Sequence, residues 1–307
     1  MLPFLARRVV MALAVVWLAA SAAFFALRWA PGDALDATMA RAGASEDQIA
    51  AQRAALGLDQ PLPVQYARYW LDVARGRWGV SLVNGQPVTE VIAQNVRPTL
   101  TLALAALGIA LALGVSLGVI DGLERPAGLR WAAGGLAALA LAAPVYWTAT
   151  LAIYALTVAV ALFPGVGAEG PRAVLLPALV LGFHTAGSIA RVTAASVRDA
   201  ARGDFVRTAR AKGLPDRDVV DHILRVGLLP VVSVAALQAG FLLGGTVITE
   251  MIFVRRGLGQ VLLTAVTNRD YPVVQGLVVL SALVYTALNA LADVLYQRLD
   301  PRTRREG

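Results

Sequence analysis

Charged residues are absent from six stretches of the chain, 9–27, 98–120, 131–168, 173–190, 226–249 and 271–292, and gather in the segments between them. A helix crossing a hydrocarbon layer needs roughly 20 predominantly apolar residues. Five of the stretches are 18 to 24 residues long and suit one crossing each. The third has 38 residues. As a straight helix it would run about 57 Å, long enough for two crossings.

The flanking charges choose between one crossing and two. Short cytoplasmic loops collect Arg and Lys. The basic groups are the N-terminus (Arg7, Arg8), the loop 121–130 (Arg125, Arg130), the segment 191–225 with eight basic residues, and the tail (Arg298, Arg302, Arg304, Arg305). All four share one side only if 131–168 crosses once and leaves its surplus outside, around Phe163-Pro-Gly-Val-Gly167. The pattern therefore predicts an all-α integral membrane protein with six transmembrane helices and both termini cytoplasmic. Residues 1–30 hold the N-terminus and first span, 31–97 an extracytoplasmic region, and 98–307 a five-helix core with the cytoplasmic segment 191–225. A secretory signal is the alternative for the first run, with Arg7-Arg8 as its basic region and Ala20-Ser21-Ala22 as a cleavage site. The run continues through Leu27 and exceeds an ordinary signal core, so it reads as an uncleaved span.

Glycines recur inside the runs, and Gly114 and Gly118 form a small-xxx-small pair that would let two helix backbones approach. A general bias toward Ala and Gly explains them equally well. In the outer region, 47–58 and 65–74 read as short amphipathic helices, the second rich in aromatics (Tyr66, Tyr69, Trp70). They suit a surface-lying pair at headgroup level or the docking of an external partner.

Segment 191–225 mixes eight basic with five acidic residues, the mark of a folded surface and not of a solvated tail. A first helix through Phe205, Ala209 and Lys212 should stop at Gly213, where a left-handed cap suits glycine. A second should carry Pro215 in its first turn, Asp216 and Asp218 near its start and Arg225 near its end, as the helix dipole favours. Val219, Val220, Ile223 and Leu224 form its apolar stripe. This hairpin would engage a cytoplasmic partner or rest on lipid.

Composition agrees with the pattern. Of 307 residues 58% are hydrophobic and 15% charged, and mean hydropathy is +0.65. The net charge of +7 is carried on a chain too apolar for a nucleic-acid binder. With no cysteine, disulfides and thiolate sites are excluded. The sole lysine, Lys212, stands in no phosphate-binding loop, and the two histidines lack metal-ligand spacing. His184 lies inside a span, where an ionisable group is either part of a transport path or bonded to a neighbouring helix. Tyr146, Trp147, Thr150 and Gln238 are further polar or aromatic groups inside the runs and candidates for a translocation pathway.

Asp204-Phe-Val-Arg-Thr-Ala-Arg-Ala-Lys-Gly-Leu214, followed by His222, Arg225 and Leu229-Pro230, resembles the cytoplasmic signature of the permease subunits of bacterial ABC importers. The similarity is to the B-type permease of the oligopeptide/dipeptide/nickel branch. Pro31-Gly32-Asp33, Leu56 to Pro61, Pro87-Val88, Thr249-Glu250, Gly257-Leu-Gly259, Arg269 to Gly276 and Leu299-Asp-Pro-Arg302 carry it along the chain. Arg207-Thr208-Ala209 stands where the general importer motif has Glu-Ala-Ala, Arg77 replaces an aspartate, and Arg256 a proline.

The resemblance implies a non-catalytic permease in the cytoplasmic (inner) membrane. It would pair with a second, C-type permease, two ATPase subunits that bind ATP and Mg, and an extracytoplasmic solute-binding protein. No cofactor, metal or nucleic acid is expected in this chain. Asp204, Arg207, Thr208, Ala209, Arg210, Lys212, Gly213, Leu214 and Arg225 would form the ATPase-coupling surface. Gly213 would supply the turn and Ala209 the close approach. The implied substrates are di- and oligopeptides; nickel chelates, glutathione or sugars belong to the same branch. A stand-alone channel or secondary carrier is the reading from another class.

Overall fold

The computed structural model describes residues 2–29, 43, 45–55, 57–123 and 126–299. Pro31-Gly32-Asp33, Leu56, Arg125, Asp300 and the basic tail residues Arg302, Arg304 and Arg305 lie outside them. The described residues form helices α1 (Leu2–Trp29), α2 (Glu46–Ala55), α3 (Leu62–Ala74), α4 (Val88–Gly122), α5 (Ala127–Ala142) and α6 (Val145–Ala152). After α6 a π-helical turn, Ile153–Ala159, leads toward α7 (Arg172–Ala201). Then come α8 (Asp204–Ala211), α9 (Asp216–Gly227), α10 (Leu229–Ile252), α11 (Leu258–Thr267) and α12 (Tyr271–Leu299). The only extended pairing among them is a single bridge, Val80 with Pro87.

Four helical segments, Arg7–Trp29, Val88–Gly122, Arg172–Ala201 and Tyr271–Leu291, are long and apolar enough to cross a membrane. Two more candidates are bent pairs: α5 with α6 and its π turn, at 108°, and α9 with the first part of α10, at 46°. The 38-residue run therefore does not form one straight helix with surplus only near Pro164. It breaks at Ala143-Pro144, because proline offers no N–H to continue α5.

The chain forms two compact units, one of Met1–Arg97 with Arg256–Val284 and one of Pro98–Arg255 with Tyr285–Gly307. In the first, α1 packs through Val16 and Ala20 on Val279 and Ala282 of α12, with Tyr69, Trp70 and Trp78 against the same cluster. Helix α3 lies on α1. The Tyr66 ring stacks on Phe25 at 5.3 Å and its hydroxyl is 2.7 Å from Ser21 Oγ. Arg28 sits 3.5 Å over the Phe24 ring and donates to Gln65 Oε1 at 3.0 Å. The aromatics of 65–74 are thus spent on the chain's own first helix. Burial there pushes the Tyr69 phenol up to about 12, with nearby Arg28 acting against it. A second cluster joins Val88 and Val91 of α4 to Ala265 of α11 and to Val273, Val274 and Leu277 of α12.

In the second unit α7 is the most enclosed of the crossing segments. Its contact with α4 is made where side chains are missing. A Cβ on Gly118 would meet the Ala190 carbonyl at 2.6 Å, one on Gly114 the Ala186 carbonyl at 2.9 Å, and one on Gly122 the Ala194 carbonyl at 2.9 Å. From the other side, a Cβ on Gly182 would meet the Ala106 carbonyl at 2.8 Å. Gly108, Gly135 and Gly244 face open space. The Gly114–Gly118 spacing is therefore packing, and the glycines with open space are the compositional part. Between apolar helices in lipid there is little hydrophobic drive, so such close backbone approach is a main source of association.

Gly118→Val should destabilise the fold by about 1–3 kcal/mol, since the clash is with backbone and cannot be relieved by a rotamer change. Gly135→Ala should leave stability unchanged or raise it slightly. Thermal unfolding of the detergent-solubilised protein reads both.

Candidate functional site

Helices α8 and α9 form the hairpin expected in 191–225. Asp204 opens α8, Lys212 caps it, and Gly213 follows at φ +75°. The Gly213 amide donates to Arg210 O at 3.0 Å and the Leu214 amide to Ala209 O at 3.2 Å, the paired bonds of a left-handed helix stop. No atom lies within 4 Å of a Cβ built there, so glycine is required by conformation and not by space. Pro215 is at the N-cap of α9 with ψ 150°, one position before the first turn expected for it. Asp216 and Asp218 occupy that first turn and Arg225 the last.

The apolar stripe of the hairpin is already taken. Val206, Ala209, Val219 and Ile223 pack with Leu123, Val197 and Ala200, at the ends of α4 and α7, with Leu214, Val220 and Leu224 at the margin. A hairpin lying on lipid would leave that stripe free, so this one stands as a knob fixed to α7. Ala209, expected at the contact with the ATPase, faces inward instead and is buried in the hairpin's own cluster, so it is not part of the exposed face. Arg207, Thr208, Arg210, Lys212 and Arg225 are exposed. Arg225 pairs with Asp221 at 2.7 Å, and Arg207 approaches Asp204 at 3.9 Å. Arg210 and Lys212 make no ion pair among the described residues. The result is a rigid surface with a basic rim around a glycine turn.

Hydrogen bonds and ring contacts among the described residues do not join the pathway candidates across helices; the one bond between two of them lies within α6. Tyr146 and Trp147 are exposed on α6, the Thr150 hydroxyl bonds back to Tyr146 O at 2.8 Å, and Gln238 is half-buried on α10. His184 has a defined task. Pro144 cannot supply the N–H that the Ala140 carbonyl would normally accept. His184 Nδ1 lies 2.8 Å from that oxygen and its Nε2 lies 2.6 Å from Thr148 Oγ1. The ring thus bridges α5 and α6 across their break, the neighbouring-helix alternative for this residue.

Two buried carboxylates escaped the reading of the runs, because each stands just outside one. Glu250 is fully buried on α10, two residues from the helix end, and accepts a hydrogen bond from Thr99 Oγ1 at 2.7 Å. Burial lowers the pKa of nearby Arg255, and the Glu250 charge raises it in part. Asp270 precedes α12, accepting from Ser81 Oγ and, at 3.1 Å, from the Leu82 amide. Both lie in blocks that carry the family resemblance, which was the available signal. The letters Gly114-Val-Ser116-Leu-Gly118 also spell a nucleophile-elbow pattern, but they sit inside α4, where the strand-to-helix turn that exposes such a serine does not exist.

Residues 106–305 match the family described as binding-protein-dependent transport system inner membrane component, and residues 1–104 match the N-terminal region of the membrane component of that system. The glutathione transport system permease protein GsiC of Salmonella paratyphi A (strain ATCC 9150 / SARB42) is 36% identical over 308 residues, covering 99% of each chain. A protein of Brucella abortus (strain 2308) named for a peptide transport system permease is 34% identical over 307 residues, covering 97% of this chain and 98% of that one. In fold, the chain is similar to the MetNI methionine ABC transporter in an inward-facing conformation (TM-score 0.59, 17% identity, 68% of this chain and 96% of that one). It is also similar to an amino acid ABC transporter crystallised with histidines (TM-score 0.56, 14% identity, 68% and 94%). The chain belongs to the binding-protein-dependent inner membrane components, the permeases of ABC importers, and is a multi-pass inner membrane protein.

His184→Leu should cost about 1–3 kcal/mol, because it strands the Ala140 carbonyl in an apolar setting, while the Thr148 hydroxyl keeps the Val145 carbonyl within reach at 3.0 Å. His184→Gln should recover part of the loss. Thermal unfolding measures the cost, and transport per folded complex should change little.

Proposed function

We propose that this chain is one half of the membrane path of an ATP-driven importer of di- and oligopeptides, paired with a second, C-type permease. Counting α5 with α6 as one crossing, and the pair of α9 and α10 as one that crosses through α10, gives six spans, and an even number puts both termini on one side. The basic excess in 191–225, the N-terminus and the tail supports the cytoplasm as that side. The chain performs no catalysis. ATP and Mg²⁺ are held by two ATPase subunits, and an extracytoplasmic solute-binding protein delivers the substrate.

The observation that carries the reading is the hairpin of α8 and α9. A surface can transmit force only if it is rigid and anchored, and close-packed clusters transmit strain with little compression. The Gly213 turn fixes the angle of α8, and buried Ala209 lets α8 and α9 approach. Arg207, Thr208, Arg210 and Lys212, with Asp204, Leu214 and Arg225 at the edges, form the face offered to the ATPase. When the ATPase pair closes on ATP, that face moves with it and pulls α7. Among the pathway candidates, Tyr146, Trp147, Thr150 and Gln238 offer polar atoms to a passing peptide, whereas both nitrogens of His184 already have partners.

The relative named for glutathione transport favours one second reading, that the imported molecule is glutathione, itself a tripeptide. Uptake of a labelled dipeptide and of labelled glutathione by the reconstituted complex separates the two.

Gly213→Val should cost about 1–2 kcal/mol at the left-handed position. The ratio of docking-competent to disordered hairpin should fall about five- to thirtyfold. Substrate-stimulated ATP turnover by the assembled complex should drop accordingly while membrane insertion survives; unchanged turnover would refute this role of the hairpin. The chain has no cysteine, so a single cysteine at Lys212 reports sidedness directly. An impermeant maleimide should label it in inverted vesicles and not in intact cells, and the opposite result would overturn the topology.

A further inference from the structure

In the first unit, a cleft of about 310 Å³ opens between the first turns of α4, the helix α11 and the loop 81–86. Its floor is apolar, formed by Val91, Val261, Ala265 and Val273. Its walls are carboxamides. Gln260 and Asn268 stand eight residues apart along α11 and its end, with Thr264 midway, so the three share one helix face. Gln94 and Asn95 of α4, and Asn84 and Gln86 of the loop, line the rest.

The hydrogen-bond inventory separates spent groups from available ones. Gln94 donates to Glu90 at 3.1 Å, Asn95 to Val91 O at 2.8 Å, and Asn84 to Gln86 Oε1 at 3.3 Å. The carboxamides of Gln260 and Asn268 have no partner among the described residues. Each therefore presents one acceptor and two donors. Asp270 is the one acidic or basic side chain in the lining, and it is held by Ser81 and the Leu82 amide. The same bonds hold the loop in place. Ser81 Oγ accepts from the amides of Val83 at 3.2 Å and Asn84 at 3.3 Å, so that wall is fixed before any ligand arrives.

We propose that this cleft is a binding site for the main chain of an extended peptide, read through its amides by Gln260 and Asn268. Eight residues of helix span about 12 Å. An extended chain rises about 3.4 Å per residue, so a segment of three to four residues reaches from one carboxamide to the other. A carboxamide matches a peptide bond, accepting from its N–H and donating to its C=O. The apolar floor takes the side chain that alternates to the buried face.

A site that reads amides and carries no free charge is indifferent to side-chain identity and to the charged ends. A sugar would call for an aromatic platform and a metal chelate for imidazole or carboxylate, and the lining holds neither in available form. The inference rests on the peptide reading of the substrate and gives this chain a direct part in selecting it.

The test uses the complete importer in lipid nanodiscs, without its solute-binding protein, and saturation-transfer NMR. The probes are trialanine, its analogue with one of its two amides replaced by an ester, and maltotriose. Trialanine should receive saturation, the ester analogue should bind several-fold more weakly, and maltotriose should give no signal. In Gln260→Leu/Asn268→Leu, with an unchanged thermal midpoint, trialanine affinity should fall about tenfold, the loss of two hydrogen bonds. The ester comparison needs no variant and stands if the double variant fails to fold. Equal binding of trialanine and the ester, or equal binding by wild type and folded variant, overturns the cleft as the site. So does a variant that loses only stimulation by the solute-binding protein, which would make the cleft a docking point for a protein loop. Trialanine imported by the full complex with no saturation transfer sinks this inference alone. No import of any peptide, with ATP turnover intact, sinks the peptide reading itself.

Discussion

Helices α4 and α7 lie backbone to backbone because Gly114, Gly118, Gly122 and Gly182 carry no side chain. Lipid tails are as apolar as the helices, so burial of Leu or Val contributes little to their association. Proximity has to supply what the hydrophobic effect does not, through dispersion contacts that decay within an ångström of separation. The enclosed helix α7 is the frame of its unit. Leu102, Ala103 and Ala106 of α4 meet Ala178 and Leu181 along the same seam, and Val231 of α10 joins Ala110, Ala186 and Ile189 further along.

From that seam the hairpin takes its rigidity. Val197 and Ala200, at the end of α7, belong to the cluster that holds Val206, Ala209, Val219 and Ile223. A displacement of α8 is therefore felt by α7 directly, through packed side chains and not through a slack connection. The bend at Pro144 shows the complementary device. A break inside an apolar segment would normally strand a carbonyl, at a cost of several kcal/mol in a medium without water. Here one imidazole satisfies it and binds the two sides of the break together.

The buried carboxylates follow the same economy of polar groups. Neither Glu250 nor Asp270 is left bare: one accepts from Thr99, the other from Ser81 and a backbone amide. Each joins segments far apart in sequence, so each acts as a pin for local geometry. By closing the loop 81–86, the Asp270 pin also leaves the carboxamides of α11 facing an open cleft with their hydrogen-bonding capacity unspent.

Much of this could be read along the chain. The charge-free runs located the apolar helices, the mixed charge of 191–225 marked a folded hairpin, and Gly213 stood at its turn, because these features depend on neighbours within one or two helical turns. The family blocks carried the assignment as a permease. The tertiary structure alone decided which glycines are contacts, since Gly118 and Gly135 look alike until a partner helix is placed beside one of them. It also decided that Pro144 breaks the longest run, that His184 repairs the break from 44 residues away, and that Asp270 reaches Ser81 across 189. Periodicity reports which face of a helix is apolar; it holds no record of which distant residue completes a hydrogen bond, and in an apolar medium that pairing determines where a polar group can stand.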